Sequence, residues 1–384
     1  MFLHTPSQTP VKIAMDSDFF TWQKYGGVTR YLVKLGEQLT EMGHDVKIHG
    51  LLHVNRHLSA SQFALTRMHH IDAFPRLTRR ITHLAGDLLS EMEFKLNPPD
   101  IIHESYYPKR PIGGKKLPRV CTVHDMIHEL YPEIWPSNDR TAELKRSAIL
   151  RADAVICVSE NTRKDLVRLT GIDPEKTHVI HHGFELPAEN TQLTTEEIRI
   201  MEDATSHPYL LYVGNRDFYK NYSGFIRGLA ASGKSGDIRV VAFGGGSLSA
   251  SELAVATELG IPEGHIRQFG GSDNLLRQLY SEAVAFVYPS RYEGFGFPPL
   301  EAMSMGCPVL ASSSSCIPEI LGEAAFYFDP GKSDEIAHGI SRITESKSLR
   351  VELVQKGYDR IKKFSWEKCS SETLQVYQNA IDSK

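Results

Sequence analysis

The sequence predicts an α/β protein in two halves, each a doubly wound parallel sheet. Three observations carry this. Short apolar runs such as Val120–Val123, Ala154–Val158, Tyr209–Val213 and Ala285–Tyr288 read as strands buried on both faces. Helical-period stretches alternate with them along the whole chain, the pattern of crossover-connected parallel strands. Glycines, cations and acids gather just after the strands, at the edge where open α/β sheets hold ligands.

The chain has 384 residues, a length expected for roughly two domains. The pattern assigns 1–185 to a first domain, 186–206 to a linker, 207–365 to a second domain and 366–384 to a final helix. Net charge is −4, so nothing global points to nucleic acid. The five cysteines show no metal-ligand spacing and sit in apolar runs, which fits reduced, buried thiols in a cytosol. The first residues lack a charged n-region and a long apolar h-region, so no signal peptide is expected. No apolar run approaches a membrane span.

Val11–Met15 is the first strand. A loop ending in Gly26-Gly27 leads to a helix with its apolar stripe at Val28, Tyr31, Leu32, Leu35, Leu39 and Met42, closed by Gly43. Glycines there leave the first helical amides free to face an anion, although a plain tight turn explains the pair as well. Residues 55–99 read as two surface helices, with a basic and apolar rim touching an acidic membrane or a lipid-linked acceptor as the alternative. Val120–Val123 ends at His124, on the ligand edge of the sheet. His128, one helical turn on, reads as packing or acceptor-side. Ser159 reads as a helix cap in preference to a polar group at the cleft.

In the second half, Tyr209–Gly214 is followed by Arg216 and Lys220 just before a helix. Two cations at a helix N-terminus oppose its macrodipole unless an anion joins them, and a diphosphate would supply it. Arg239–Phe243 runs into Gly244-Gly245-Gly246, a turn with room for a base or ribose. Ala285–Tyr288 then stops at Pro289. A loop containing Gly294 and Gly296 follows, and Pro298-Pro299 opens a helix. Glu293 and Glu301 bracket this loop with seven residues between them, Glu301 being expected in the first helical turn. Ionised carboxylates accept only, so the pair suits sugar or ribose hydroxyls.

The stretch YEGFGFPPLEAMSMGCPVLASSSSCIPEILGEAAFYFDP closely resembles the signature of the family-four retaining glycosyltransferases, which have the GT-B fold of two Rossmann-like domains facing each other across a cleft. The spacing of Glu293 and Glu301 is similar to that family's Glu–seven–Glu motif. TVHDMIHELYPE resembles its first-domain motif, whose His contacts the donor sugar, and NRDFYKN its diphosphate-binding Arg and Lys motif. Together with GGVTRYL and SENTRKDL, these most resemble the mannosyltransferase-like branch that builds O-antigen and other bacterial surface polysaccharides.

The resemblance implies a metal-independent transfer with retention, by front-side attack in which the leaving phosphate accepts the acceptor's proton. It implies no cofactor, a nucleotide-sugar donor, and a glycan or lipid-linked acceptor. His124, Glu293, Arg216 and Lys220 would carry the chemistry. Glu293 is assigned to the donor sugar and Glu301 to the ribose. Gly26, Gly27, Gly214, Gly245, Phe295 and Gly296 would line the donor. Arg216 departs from the family's usual position, standing two residues past Gly214. A GDP-linked mannose or deoxymannose relative is the expected donor. The alternatives are a UDP-sugar glucosyl- or N-acetylglucosaminyltransferase and a non-catalytic nucleotide-sugar-binding subunit. The expected location is the cytoplasm, with peripheral association at the inner membrane. The final helix is expected to cross back onto the first domain.

Overall fold

The computed structural model describes residues 9–75, 78–104, 106–114, 116–185, 192–216 and 218–384. The chain divides into two compact units, one of residues 1–183 with 365–384, the other of residues 184–364.

In the first unit the strands are β1 (Lys12–Asp16), β2 (Asp45–His49), β3 (Leu52–His53), β4 (His69–His70), β5 (Ile101–Glu104), β6 (Arg119–Val123), β7 (Ala154–Cys157) and β8 (Thr177–Val179). Six form one parallel sheet in the order β2-β1-β5-β6-β7-β8, and β3 and β4 make a small pair beside it. β5, β6 and β7 are buried at every residue, as strands covered on both faces must be. The order reverses between β1 and β5. The helix Gly27–Glu41 presents Tyr31, Leu32, Leu35 and Leu39 inward, and Gly43 follows its end at φ 92°. Ser159 caps the helix Glu160–Thr170 by accepting from the Thr162 amide at 3.1 Å.

The last helix, Trp366–Asp382, belongs to this unit and buries Trp366, Cys369, Leu374 and Tyr377. Its anchor is a polar chain in an apolar setting. His103 on β5 shares hydrogen bonds with Tyr377 Oη at 2.5 Å and Thr122 Oγ1 at 2.8 Å, and Thr122 lies 3.3 Å from the Tyr31 hydroxyl. His103, Tyr377, Thr122 and Tyr31 thus each have a partner, which burial demands.

The second unit contains β9 (Tyr209–Val213), β10 (Arg239–Phe243), β11 (Ile266–Phe269), β12 (Ala285–Tyr288), β13 (Val309–Ser312) and β14 (Ala325–Phe328), all parallel in the order β11-β10-β9-β12-β13-β14. This is a doubly wound sheet whose order reverses between β9 and β12. Leu210, Val240, Ala285, Val287 and Leu310 pack with Phe225 and Leu229 of the helix Tyr222–Ala231, and with Ile336 and Ile340 of the helix Ser333–Glu345.

Two expectations are corrected here. Of the expected linker 186–206, residues 186–191 lie outside the described residues, and 195–205 form a helix of the second unit. Thr194 and Glu197 close a capping box, and Glu197 also accepts from the Ser272 amide at 3.0 Å and hydroxyl at 2.6 Å. Those bonds, the Ser272 hydroxyl first, pull the Glu197 carboxyl down to about 2. Second, the helix after Gly296 starts at Phe297, so Glu301 lies past its first turn, where the macrodipole argument weakens.

Candidate functional site

The second unit concentrates its chemistry at the carboxyl ends of β9 and β12, where the strand order reverses. After β9 the chain turns through Gly214, at φ 116°, and a short 3-10 turn, Phe218–Lys220. Asn221 follows in the left-handed region, φ 55°, and is buried. Its amide nitrogen donates to Pro330 O at 2.9 Å, and its oxygen accepts from Arg291 Nε and Nη2 at 3.3 Å each. The Arg291 amide in turn donates to Tyr219 O at 2.7 Å. The loops after β9 and β12 are therefore stitched together by backbone and side chain.

Across that seam, Lys220 Nζ reaches both oxygens of Glu293, at 2.8 and 3.0 Å. Glu293 is buried and held from behind by Ser315. That single hydroxyl accepts from the Glu293 amide at 3.1 Å and donates to its carbonyl at 2.7 Å. Burial pushes the neighbouring Tyr288 phenol well above its ordinary value, and the Glu293 carboxylate adds to the effect. Tyr288 therefore stays neutral beside the acid.

Arg216 does something different from what its neighbourhood in the sequence suggests. Its Nε donates to Glu252 at 2.5 Å and its Nη1 to Gly244 O at 3.1 Å. Nη2 donates to the carbonyls of Gly245, Gly246 and Ser247 at 3.3, 2.9 and 2.9 Å. A guanidinium has five N–H donors, so most of this fork is committed to the glycine turn. A Cβ on Gly245 would meet Gly214 O at 2.7 Å and Arg216 Nη1 at 2.9 Å, and its φ of 69° also favours glycine. Gly214, Gly245 and Arg216 are thus one packed group.

Gly296 stands at φ 105° where the loop enters its helix. The carbonyl of Phe295 accepts from Cys316 Sγ at 3.3 Å, and its ring packs edge-on against Phe297 and Phe364. Glu301 is half-buried one turn further on, near enough to Tyr280 to raise that phenol beyond what burial does alone.

In the first unit, β6 delivers His124, which is buried among the rings of Tyr31 at 5.4 Å, His182 at 5.8 Å and Tyr106 at 6.4 Å. Tyr31 lies on the helix that begins at Gly27. The pair Gly26-Gly27 and His124 thus stand at the ends of elements that pack together. Gly26 is the N-cap and supplies no side-chain cap, and no acid occupies that helix's first turn. Next to His124, burial resists ionisation of Asp125, but Lys145 and the Ile127 amide outweigh it and the carboxyl is lowered. Lys145 itself is buried, donating to Asp125 O and to Glu129, each at 2.8 Å. His128 stacks on Trp135 with centroids 4.0 Å apart, and burial lowers it.

Asn221, Arg291, Ser315 and Lys145 were not expected from sequence. Only Asn221 left a signal there: an Asn directly before a helix is among the few residues that visit the left-handed region readily. Burial holds the Cys157 and Cys369 thiols up at about 12, so neither is a ready nucleophile. Among the described residues no group of three or more His, Cys, Asp or Glu side chains is arranged to hold a metal ion.

Comparison with known proteins decides what this edge belongs to. Residues 25–186 match the family model described as Glycosyltransferase Family 4, and residues 194–360 the model described as Glycosyl transferases group 1. The O-antigen chain mannosyltransferase B of Escherichia coli is 30% identical over 270 residues, covering 67% of this chain and 70% of that protein. The chain belongs to glycosyltransferase family 4.

Solved structures place the transferase in the GT-B fold, with two Rossmann-like domains. Sucrose-phosphate synthase from Thermosynechococcus elongatus superposes with a TM-score of 0.71 at 19% identity, covering 97% of this chain and 99% of that one. Anabaena Alr3699/HepE in complex with UDP superposes with a TM-score of 0.67 at 16% identity, over 97% and 99% of the two chains. A further relative, the O-antigen chain mannosyltransferase RfbU of Salmonella typhimurium, is 27% identical over 228 residues, covering 59% of this chain and 61% of that protein.

Proposed function

We propose that this glycosyltransferase moves a hexose, mannose or a deoxymannose relative, from a GDP-sugar to a saccharide or lipid-linked acceptor, with retention and without a metal ion. The observation that carries the reading is the Lys220–Glu293 pair at the reversal point of the second sheet. A cation and an acceptor-only acid side by side match the two halves of a sugar diphosphate. The diphosphate competes with Glu293 for Lys220. As Lys220 turns to the phosphates, Glu293 is released to accept from sugar hydroxyls. Ser315 keeps its backbone fixed while this exchange occurs.

Charge then develops on the leaving diphosphate. Lys220 and the backbone amides of Gly26 and Gly27 stabilise it, the kind of electrostatic contribution that often dominates catalysis. His124 contacts the donor sugar, and Glu301 binds the ribose. Arg216 serves the donor through the glycine turn at Gly244–Gly246. The enzyme works in the cytoplasm, at the inner membrane, where lipid-linked acceptors are found. Among the described residues no helix is long and apolar enough to cross a membrane.

The mannosyl reading is favoured by the O-antigen relative, the donor base being inferred from it. A second reading, a UDP-sugar donor for glucosyl or N-acetylglucosaminyl transfer, is favoured by the HepE complex with UDP. A thermal-shift screen against GDP, UDP and ADP separates them, and stabilisation by UDP alone overturns the first. Release of free nucleoside diphosphate on adding acceptor, undiminished by excess chelator, is the result expected of a metal-free transferase. No release with any nucleotide sugar would favour a binding subunit instead.

A further inference from the structure

Lysine is almost never fully buried unless it is paired. Lys145, on the helix Thr141–Arg151, is 1% exposed and is the one buried lysine among the described residues. An ammonium has three donors. One goes to the Asp125 carbonyl and one to Glu129, each at 2.8 Å, and the Asp125 carboxylate lies 3.7 Å away. The Tyr107 ring stands beside the ammonium, its centroid 5.5 Å from Nζ. The three oxygen partners all belong to the turn that begins one residue after His124.

That turn needs the hold. Its helix, Ile127–Leu130, is a single turn, too short to persist by itself, and Met126 gives it no side-chain cap. The Asp125 carboxylate accepts from the Ile127 amide at 3.1 Å instead. Burial works against the Asp125 charge, and Lys145 is the main group offsetting it, which keeps this acceptor ionised. The same helix steadies the loop after β5. Arg151 donates to Pro108 O at 2.9 Å and to Glu104 at 2.7 Å, and this loop carries Tyr106, whose ring lies 6.4 Å from that of His124. The helix Thr141–Arg151 thus fixes the loops on both sides of the imidazole.

Stability alone does not call for a charge at 145, because well-packed apolar side chains often serve as well as a buried ion pair. What an ammonium adds is direction: it fixes a carbonyl and two carboxylates at once. We propose that Lys145 is a positioning residue for His124, pinning the turn after β6 so that the imidazole is held against the donor sugar during transfer. The proposal rests on the reading that His124 contacts the donor sugar, and it adds the group that orients that contact.

Lys145→Met, His124→Ala and the double variant test it. The readout is GDP released from saturating GDP-mannose with an α-mannosyl oligosaccharide as acceptor, beside calorimetric titration with GDP. Lys145→Met should lower kcat on the order of tenfold, because misplacing a group at the reacting sugar costs this much or more. GDP affinity should stay within about twofold, since the lost contact is to the sugar. On the His124→Ala background the same substitution should change kcat by less than about twofold, because the group it orients is gone. Lys145→Arg, which keeps the charge and the donors, should recover part of the loss. Glu129→Gln removes one charge and keeps the side chain's shape, so it decides the matter if Lys145→Met fails to fold: its loss of kcat should also vanish without His124. A merely structural lysine would give the same fractional loss of kcat with and without His124, and that result overturns the proposal. So does a kcat that Lys145→Met leaves unaltered while His124→Ala lowers it. If His124→Ala itself leaves kcat unaltered, or the native chain releases no GDP, the donor reading fails and the proposal falls with it.

Discussion

Lys220 Nζ lies within 3.0 Å of both carboxylate oxygens of Glu293, so the cation and the buried acid neutralise each other. Lys220→Met should leave a buried carboxylate without its cation. We expect a loss of about 1–3 kcal/mol in folding free energy, since an unpaired buried group costs its desolvation. Nucleoside diphosphate affinity should fall as well. Urea unfolding beside calorimetric titration checks both, and an unaltered affinity would remove Lys220 from the diphosphate.

Arg216 should behave as a positioning residue for the glycine turn. Arg216→Lys cannot reproduce a planar fork that reaches Glu252 and several carbonyls. It should therefore destabilise nearly as much as Arg216→Ala, by about 1–3 kcal/mol. Glu252→Gln should couple with it in a double-mutant cycle. A direct diphosphate ligand would give the opposite pattern, with Lys rescuing binding and stability scarcely moved.

Much of this site was legible in the sequence. The strands β6, β9 and β12 announced themselves as apolar runs because both faces are covered, and the spacing of Glu293 and Glu301 marked the loop between them. What the sequence hid depends on contacts between distant residues. His103 and Tyr377 lie 274 positions apart, and Arg216 meets Glu252 only once the loop after β9 and the helix Ala250–Glu258 have come together. The helix Thr195–Thr205 was hidden for a different reason. Its polar composition reads as a linker, although Thr194 and Glu197 form a capping box that was there to be seen.

Acid should weaken the first unit in a defined window. Burial pushes His103 down to about 3, and drives His182 well below its ordinary value of 6.5. In the unfolded chain both titrate near the ordinary value. The unfolded state therefore binds more protons between pH 6.5 and about 3, and stability falls as pH drops through that range. Each group contributes a slope of about 1.4 kcal/mol per pH unit, and nothing above the window. Urea unfolding at pH 7 and 5 on the native chain and on His103→Asn measures this, and equal slopes would contradict it.

Glu301→Gln should weaken binding of the nucleoside diphosphate itself. Ribose contacts persist from ground state to transition state, so the loss of about 1.5–3 kcal/mol should appear in the dissociation constant, with kcat at saturating donor little changed. A fall in kcat alone would move Glu301 from the ribose to the reacting sugar.

The exchange of Lys220 from Glu293 to the diphosphate is tested most directly by calorimetric titration of Glu293→Gln with the nucleoside diphosphate, beside its steady-state kinetics. The variant no longer competes for Lys220, while it loses the charged acceptor that holds the sugar as its bond to phosphate breaks. Nucleotide affinity should equal or exceed that of the native enzyme, with kcat reduced on the order of tenfold or more. Affinity that falls in step with kcat would contradict it.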